Sequence, residues 1–271
     1  MCTKGGIAFF DSGIGGLTTL STCVKYAQEH NVPFKNYYYY GDNYHAPYGN
    51  LSEKQIFSYV DQIFVKFADL QVSAAVIACN TATAVCAEEL RKKYPFQIIG
   101  IEPAIFPAMR EGGEVFLLAT YVTCNSRKFQ VLCERARERY PKTRLRIFPC
   151  KNLARIIEEN LGKEYVDYSA FLPVGNPTSV VLGCTHYIYI RKQIERFYGC
   201  PTHDGNRAVA KRLFDVLATE QNGSLFCENS LSILNEQPLV TPEKIITQNS
   251  TIFFLGDAKM VNKTKYEQMF V

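Results

Sequence analysis

Two cysteines stand in matched surroundings. Residues 76–81 read VIACNT and residues 181–186 read VLGCTH. Each time an apolar run ends in a small residue, a cysteine and two hydrogen-bonding side chains: Asn80–Thr81 after Cys79, Thr185–His186 after Cys184. A cysteine between a strand and a helix lies at a helix start. The partial positive charge there favours thiolate and is expected to lower the thiol pKa from about 8.5 toward neutrality. Either cysteine alone reads as a small buried hydrophobe. Two in one context read as a pair of bases flanking a single carbon, one removing a proton and the other returning one to the opposite face. Such chemistry needs neither a covalent intermediate nor a cofactor. The pair is too symmetric for a Cys-His-Asn hydrolase, and a redox couple, without any C-x-x-C spacing, remains the alternative.

Other polar residues fall at similar places. The stretch FDSGIGG (residues 10–16) is glycine-rich but lacks both G-x-G-x-x-G and the Lys-Ser/Thr ending of a phosphate loop. Asp11 reads as an acceptor for an ammonium group or a thiol, or else as a helix N-cap; Ser12 reads as a ligand donor. In GDNYHAPYG (residues 41–49) Pro47 and Gly49 set a turn, and Tyr48 offers either a contact to ligand or simple packing. His45 and His203 read as surface or turn residues. His186, two positions past Cys184, is a candidate for the chemistry, whereas Glu158 in ARIIEEN is equally an exposed helix charge.

These residues need elements to hold them. Short apolar runs such as GIAFF (6–10), YYYY (37–40), AAVIA (74–78), QIIGI (97–101), EVFLLA (114–119), RLRIF (144–148), SVVLG (179–183) and TIFFL (251–255) alternate with amphipathic stretches. Over residues 52–69, for example, Ile56, Tyr59, Val60, Ile63, Phe64 and Phe67 form one apolar face. The alternation predicts an α/β fold with mostly parallel sheets covered by helices. The echo of VIACNTATA in VLGCTHYIY, and the weaker one of FFDSGIGG in LATYVTCNS, predicts two pseudo-symmetric flavodoxin-like α/β domains with the site between them. The expected division is 1–97 plus 207–271 for the first domain and 98–206 for the second. Ligands of open α/β sheets bind beyond the carboxyl ends of the strands, where all of these motifs fall. The polar stretch 221–250 reads as a surface excursion before the last strand.

Composition bounds the partners. Hydrophobic residues make up 47% and charged residues 21% of 271, with a net charge of +4 and scattered basic side chains. That is ordinary for a globular protein and gives no basic stripe for nucleic acid. No apolar run approaches the roughly 18–20 residues of a membrane span. MCTKGGIAFF runs into a strand without a secretory leader, so a cytoplasmic location and reduced thiols are expected. Cys23, Cys86, Cys133 and Cys200 are expected to be buried and inert. The four histidines complete no zinc-ligand spacing.

Taken together, FFDSGIGGLTTL, YGDNYHAPYG, VIACNTATA, GIEPA, VTCNS, VLGCTHY and HDGNRAVAKRL resemble the glutamate racemase family within the wider Asp/Glu racemase superfamily. The resemblance runs from residue 7 to about residue 217. It implies a cofactor-independent racemase of two pseudo-symmetric α/β domains that acts on glutamate, supplies D-glutamate for peptidoglycan and assembles as a homodimer. Cys79 and Cys184 match the two catalytic bases. The family's substrate-binding pairs fall on Asp11–Ser12, Tyr48–Gly49, Asn80–Thr81 and Thr185–His186, and its second-domain binding loop on Thr120, Thr123 and Ser126. Glu158 matches an acid that tunes the second cysteine. Thr185–His186 separates glutamate-type from aspartate-type members. Aspartate or another small dicarboxylate as substrate, and an inactive amino-acid sensor, are the rival readings. Departures from the family pattern are Ala119 for Gly, Thr83 for Ser, His45 for Arg, Ile188 for Pro, and CKNLARIIEE (150–159), which is more charged than usual.

Overall fold

The computed structural model describes residues 5–32, 36–164, 166–221, 244–246 and 250–255. The chain begins β1 (Ile7–Asp11), α1 (Leu17–Glu29), β2 (Asn36–Gly41), α2 (Glu53–Asp69), β3 (Ala74–Ile77), α3 (Asn80–Lys93) and β4 (Gln97–Gly100). It continues through α4 (Ile105–Arg110), β5 (Glu114–Ala119), α5 (Tyr121–Asn125), α6 (Arg127–Arg139), β6 (Arg144–Pro149), α7 (Leu153–Glu159), β7 (Ser179–Gly183), α8 (Arg191–Tyr198) and β8 (Thr202–His203). It then returns through α9 (Asn206–Gln221), β9 (Lys244–Ile246) and β10 (Thr251–Leu255).

Two sheets result, in the orders β4-β3-β1-β2-β10-β9 and β6-β5-β7-β8. Every pairing is parallel except that of β10 with β9. Within the first sheet β2-β1-β3-β4 repeats the second sheet's β6-β5-β7-β8 strand for strand. Thus β1 corresponds to β5 and β3 to β7, which is the repeat that the paired cysteine motifs foretell. β1, β3 and β7 are buried along their whole length, as parallel strands covered on both faces must be.

Helices close both faces of each sheet. Leu17, Leu20 and Val24 of α1 pack with Val209, Leu213 and Leu217 of α9 on one face of the first sheet. Ile56, Val60, Phe64 and Phe67 of α2 pack with Cys86 and Leu90 of α3 on the other. The start of α2 is a capping box: Gln55 N–H donates to Ser52 Oγ, and Ser52 N–H donates to Gln55 Oε1. On the second sheet Leu153, Ile157 and Ile194 pack on one face, and Ile105, Met109, Phe129 and Cys133 on the other.

The structure amends some expectations. Cys200 is only half-buried, because α8 ends at a left-handed Gly199 and the chain turns outward. β8 and β9, of two and three residues, are too short to leave an alternation in sequence. Of the stretch 221–250, residues 222–243 and 247–249 lie outside the described residues, and Lys244–Ile246 adds the antiparallel edge to β10. Among the described residues no helix is long and apolar enough to cross a membrane.

Candidate active site

The carboxyl ends of β1, β3, β5 and β7 meet at one cleft of about 650 Å³, counting the part open to solvent. Ser12, Tyr48, Gly49, Cys79, Asn80, Thr81, Thr120, Glu158, Cys184, Thr185 and His186 all line it. Both sulfurs therefore face the same space, each at the end of a topologically equivalent strand. Asp11 lies beneath Ser12 and is fully buried, while Thr123 reaches the cleft through its neighbours. Ser126 is set back: it caps α6, accepting from Phe129 N–H.

Cys79 is the N-cap of α3, and its sulfur accepts from Ala82 N–H at 3.5 Å. Ser12 Oγ lies 3.5 Å from the same sulfur. The helix start nevertheless does not yield an easy thiolate. Burial and then the negative Asp11 outweigh the hydrogen bonds, and the Cys79 thiol is pushed up to about 12. The expectation of a lowered thiol pKa from helix position alone fails here.

Cys184 is held differently. Residues Thr185–Ile190 form a 3-10 turn ahead of α8. Cys184 Sγ lies 3.9 Å from His186 Nδ1, and His186 Nε2 lies 2.6 Å from Glu158 Oε2. Burial alone would lower the His186 pKa, but its bonds to Cys184 and Glu158 carry it well above the ordinary imidazole value. The imidazolium donates from Nε2 to Glu158 and aims its Nδ1–H at the sulfur, where it stabilises negative charge. Glu158 is thus neither a free surface charge nor a direct partner of Cys184; it acts on His186.

Asp11 serves the joint between the halves rather than a helix cap, since Gly16 occupies the N-cap of α1. Gly13 N–H donates to Asp11 Oδ1 at 2.8 Å, and Thr185 Oγ1 donates to Oδ2 at 3.1 Å. Burial raises the Asp11 pKa, and the positive His186 opposes this. The glycines explain how the two loops come so close. A Cβ on Gly15 would meet Thr185 Oγ1 at 2.4 Å, and one on Gly13 would meet Glu158 Oε2 at 2.6 Å. Tyr189 OH donates to Ile14 O at 2.8 Å across the same joint. The glycine-rich loop is committed to the second half and forms no phosphate cradle.

On the other side of the cleft, Thr81 Oγ1 lies 2.9 Å from Thr120 Oγ1 and 3.2 Å from Thr123 Oγ1. Thr120 and Thr123 are themselves 2.9 Å apart, which closes a triangle of hydroxyls across the two sheets. Asn80 Nδ2 is buried without a hydrogen-bond partner among the described residues, a donor held at the cleft wall. Tyr48 OH donates to Asp42 Oδ2 at 2.6 Å, and His45 Nδ1 lies 2.9 Å from both Asp42 oxygens while its ring stacks on Tyr59. His45 is therefore a support for Tyr48, and His203 lies apart from the cleft, 3.2 Å from Glu111.

Sequence reasoning missed Asp42, and with it Cys150, Lys151, Asn152 and Arg155, which also line the cleft. A signal existed for Arg155, which stands one helical turn ahead of Glu158 on α7, whereas Lys151 precedes the helix. Among the described residues no cluster of three or more His, Cys, Asp or Glu side chains is placed to hold a metal ion.

Two α/β halves of like strand order, with a cysteine at matching strand ends over one cleft, are the architecture of an amino-acid racemase superfamily. The model of the Asp/Glu/Hydantoin racemase family matches residues 15–213, and the chain belongs to this family. A glutamate racemase of Clostridium acetobutylicum is 32% identical over 246 residues, spanning 83% of this chain and 91% of that one. A glutamate racemase of Clostridium perfringens is 39% identical over 71% of this chain and 75% of its own. Among solved structures, Escherichia coli glutamate racemase in complex with L-glutamate and the activator UDP-MurNAc-ala superposes with a TM-score of 0.69 at 30% identity. The superposition covers 79% of this chain and 83% of the other.

Proposed function

We propose that this chain is a cofactor-independent glutamate racemase, interconverting L- and D-glutamate by proton transfer between Cys79 and Cys184. The observation that carries the reading is the shared cleft: two sulfurs at the ends of β3 and β7, equivalent strands of two like sheets, line one space. Cys184 takes the α-proton of L-glutamate and Cys79 that of D-glutamate, the opposite sulfur returning a proton to the other face. With its pKa pushed up to about 12, Cys79 stays protonated through the neutral range and is ready to donate. The same shift makes its thiolate, once formed, a stronger acceptor for the weakly acidic α-carbon.

Ser12, Asn80, Thr81 and Thr185, with the hydroxyls of Thr120 and Thr123, supply neutral hydrogen-bonding groups to the two carboxylates, and Asp11 answers the ammonium. Tyr48 and Gly49 close the wall beside Thr120. His186 serves Cys184 directly, and Glu158 is a positioning residue that acts through His186. Enclosure strengthens each of these contacts as charge develops on the substrate. The product would be D-glutamate for peptidoglycan, made in the cytoplasm by a homodimer. The two-unit division, 1–97 plus 207–271 and 98–206, belongs to this reading, except that its first boundary cuts β4 (Gln97–Gly100), which pairs with β3 in the first sheet, so that crossing is placed after Gly100.

Circular dichroism of L-glutamate incubated with the purified chain and no added cofactor should decay to zero, with deuterium from solvent appearing at the α-carbon. Exchange into aspartate but not glutamate would overturn the substrate assignment, and exchange into neither would overturn the racemase reading.

A further inference from the structure

One wall of the cleft is built by α7 and the residues just ahead of it. Cys150, Lys151, Asn152, Ala154, Arg155 and Glu158 face the space from that wall. Arg155 and Glu158 stand three positions apart on one face of α7, and Lys151 joins them from the turn just ahead of the helix. The opposite face is anchored, with Leu153 and Ile157 fully buried in the second sheet's core. Asn152 takes a left-handed conformation at φ 62, which asparagine tolerates better than other side-chain-bearing residues, and this turns the chain into the helix. Arg155 and Glu158 are therefore carried by a packed helix, and Lys151 by the turn that leads into it.

Their sign matters because of what surrounds them. The hydrogen-bonding residues Ser12, Asn80, Thr81, Thr120 and Thr185 are neutral, whereas Asp11 and Glu158 place carboxylates beneath and beside the cleft. An acidic amino acid brings two carboxylates and only one ammonium. Asp11 answers the ammonium, Glu158 repels the second carboxylate, and His186 is already engaged by Glu158 and Cys184. Lys151 has no anionic partner among the described residues. Arg155 gives one N–H to Glu159 at 2.8 Å and keeps the rest of its guanidinium donors. Lys151 is exposed and the Arg155 side chain is 46% exposed, so both stand at the opening.

We infer that Lys151 and Arg155 form a cationic rim that recognises the side-chain carboxylate of a dicarboxylic substrate, making them specificity-determining residues at the mouth of the cleft. The inference rests on the racemase reading for its substrate and deepens it. Lys151 is the stronger member, because Arg155 is shared with Glu159. A rim of exposed cations acts over a distance comparable to the screening length of about 8 Å at physiological salt, so its contribution falls as salt rises.

The test compares the parent chain with Lys151→Gln, Arg155→Gln, the double variant and Lys151→Arg. Steady-state KM and kcat are measured for both enantiomers at low and high salt, and glutarate binding by calorimetry. Exposed charge pairs of this kind set the scale: KM should rise about threefold for Lys151→Gln, about twofold for Arg155→Gln and about fivefold for the pair. The change should fall on KM rather than kcat, and Lys151→Arg should restore the parent value. The parent's KM should climb with salt and the double variant's should not. Weak inhibition by glutamine, which has the same length without the distal charge, should be equal in all variants. Unchanged KM and glutarate affinity in the double variant, or an unchanged salt slope, would overturn the inference. If the parent exchanges no α-proton of glutamate, the racemase reading fails, and the glutarate titration still decides the rim because it needs no turnover.

Discussion

Cys79 and Cys184 end equivalent strands of two like sheets, yet their neighbours differ in kind. Cys79 caps a long α-helix, beside a serine hydroxyl and a backbone N–H, with a buried carboxylate nearby. Cys184 starts a 3-10 turn and faces an imidazolium whose far nitrogen is clamped by Glu158. Equivalent backbone thus supports unequal electrostatics. The difference leaves Cys79 protonated at neutral pH and gives Cys184 a cationic neighbour that Cys79 lacks. Because the two enantiomers have equal free energy, kcat/KM must be the same in both directions whatever the asymmetry. Its trace is therefore found in partial reactions and in how KM and kcat divide.

Replacing either sulfur is the largest test of this asymmetry. Cys79→Ser and Cys184→Ser should each lower racemisation by about 10³-fold or more in both directions, the scale of losing an essential acid–base group. If the two sulfurs serve opposite faces, Cys79→Ser should still exchange the α-proton of L-glutamate with deuterium, and Cys184→Ser that of D-glutamate. Loss of the same exchange in both variants would erase the distinction.

Next, Glu158→Gln withdraws the carboxylate that keeps His186 charged, and kcat/KM should fall by about 10- to 100-fold, as for loss of one charge-assisted hydrogen bond. A His186 pKa brought down toward the ordinary value leaves less imidazolium to stabilise the sulfur as pH rises, so the alkaline limb of the pH profile should move down in pH. An unmoved profile would show that Glu158 is only structural. Tyr189→Phe removes the hydrogen bond to Ile14 across the joint on the Cys184 side, at a cost of about 1 kcal/mol in chemical denaturation. No comparable loss is expected from Tyr121→Phe, whose side chain is exposed.

The smallest effect concerns pH. A thiol pushed up to about 12 remains protonated well beyond neutrality, so the rate with L-glutamate should change less than about twofold between pH 7 and 9 on account of Cys79. A descending limb centred below pH 9 in Asp11-intact protein, absent from binding of glutarate, would show that Cys79 gives up its proton sooner than burial and Asp11 imply.

Much of this was legible in the sequence because parallel strands buried on both faces leave unbroken apolar runs, and IAFFD, AAVI and SVVLG are such runs. Residues at the end of each run must lie at the carboxyl edge, so the cysteines and their polar neighbours were found by position alone. The tuning of the sulfurs was not legible. It depends on Asp11 lying near Cys79 and on Glu158 reaching His186 from 28 positions away, and local sequence records neither. Asp42 was overlooked for the same reason: its role appears only when Tyr48 and His45 both converge on its carboxylate.

The placement of β10 carries a consequence for biosynthesis. Ile252 pairs in register with Tyr37, so the tyrosine-rich strand NYYYYG is laid down early and receives this neighbour only when residues 251–255 leave the ribosome. Until then one margin of the first sheet is unpaired, and such a margin is a template for wrong partners. Nascent chains truncated ahead of residue 251 should therefore be the ones that depend on chaperones and stick to one another.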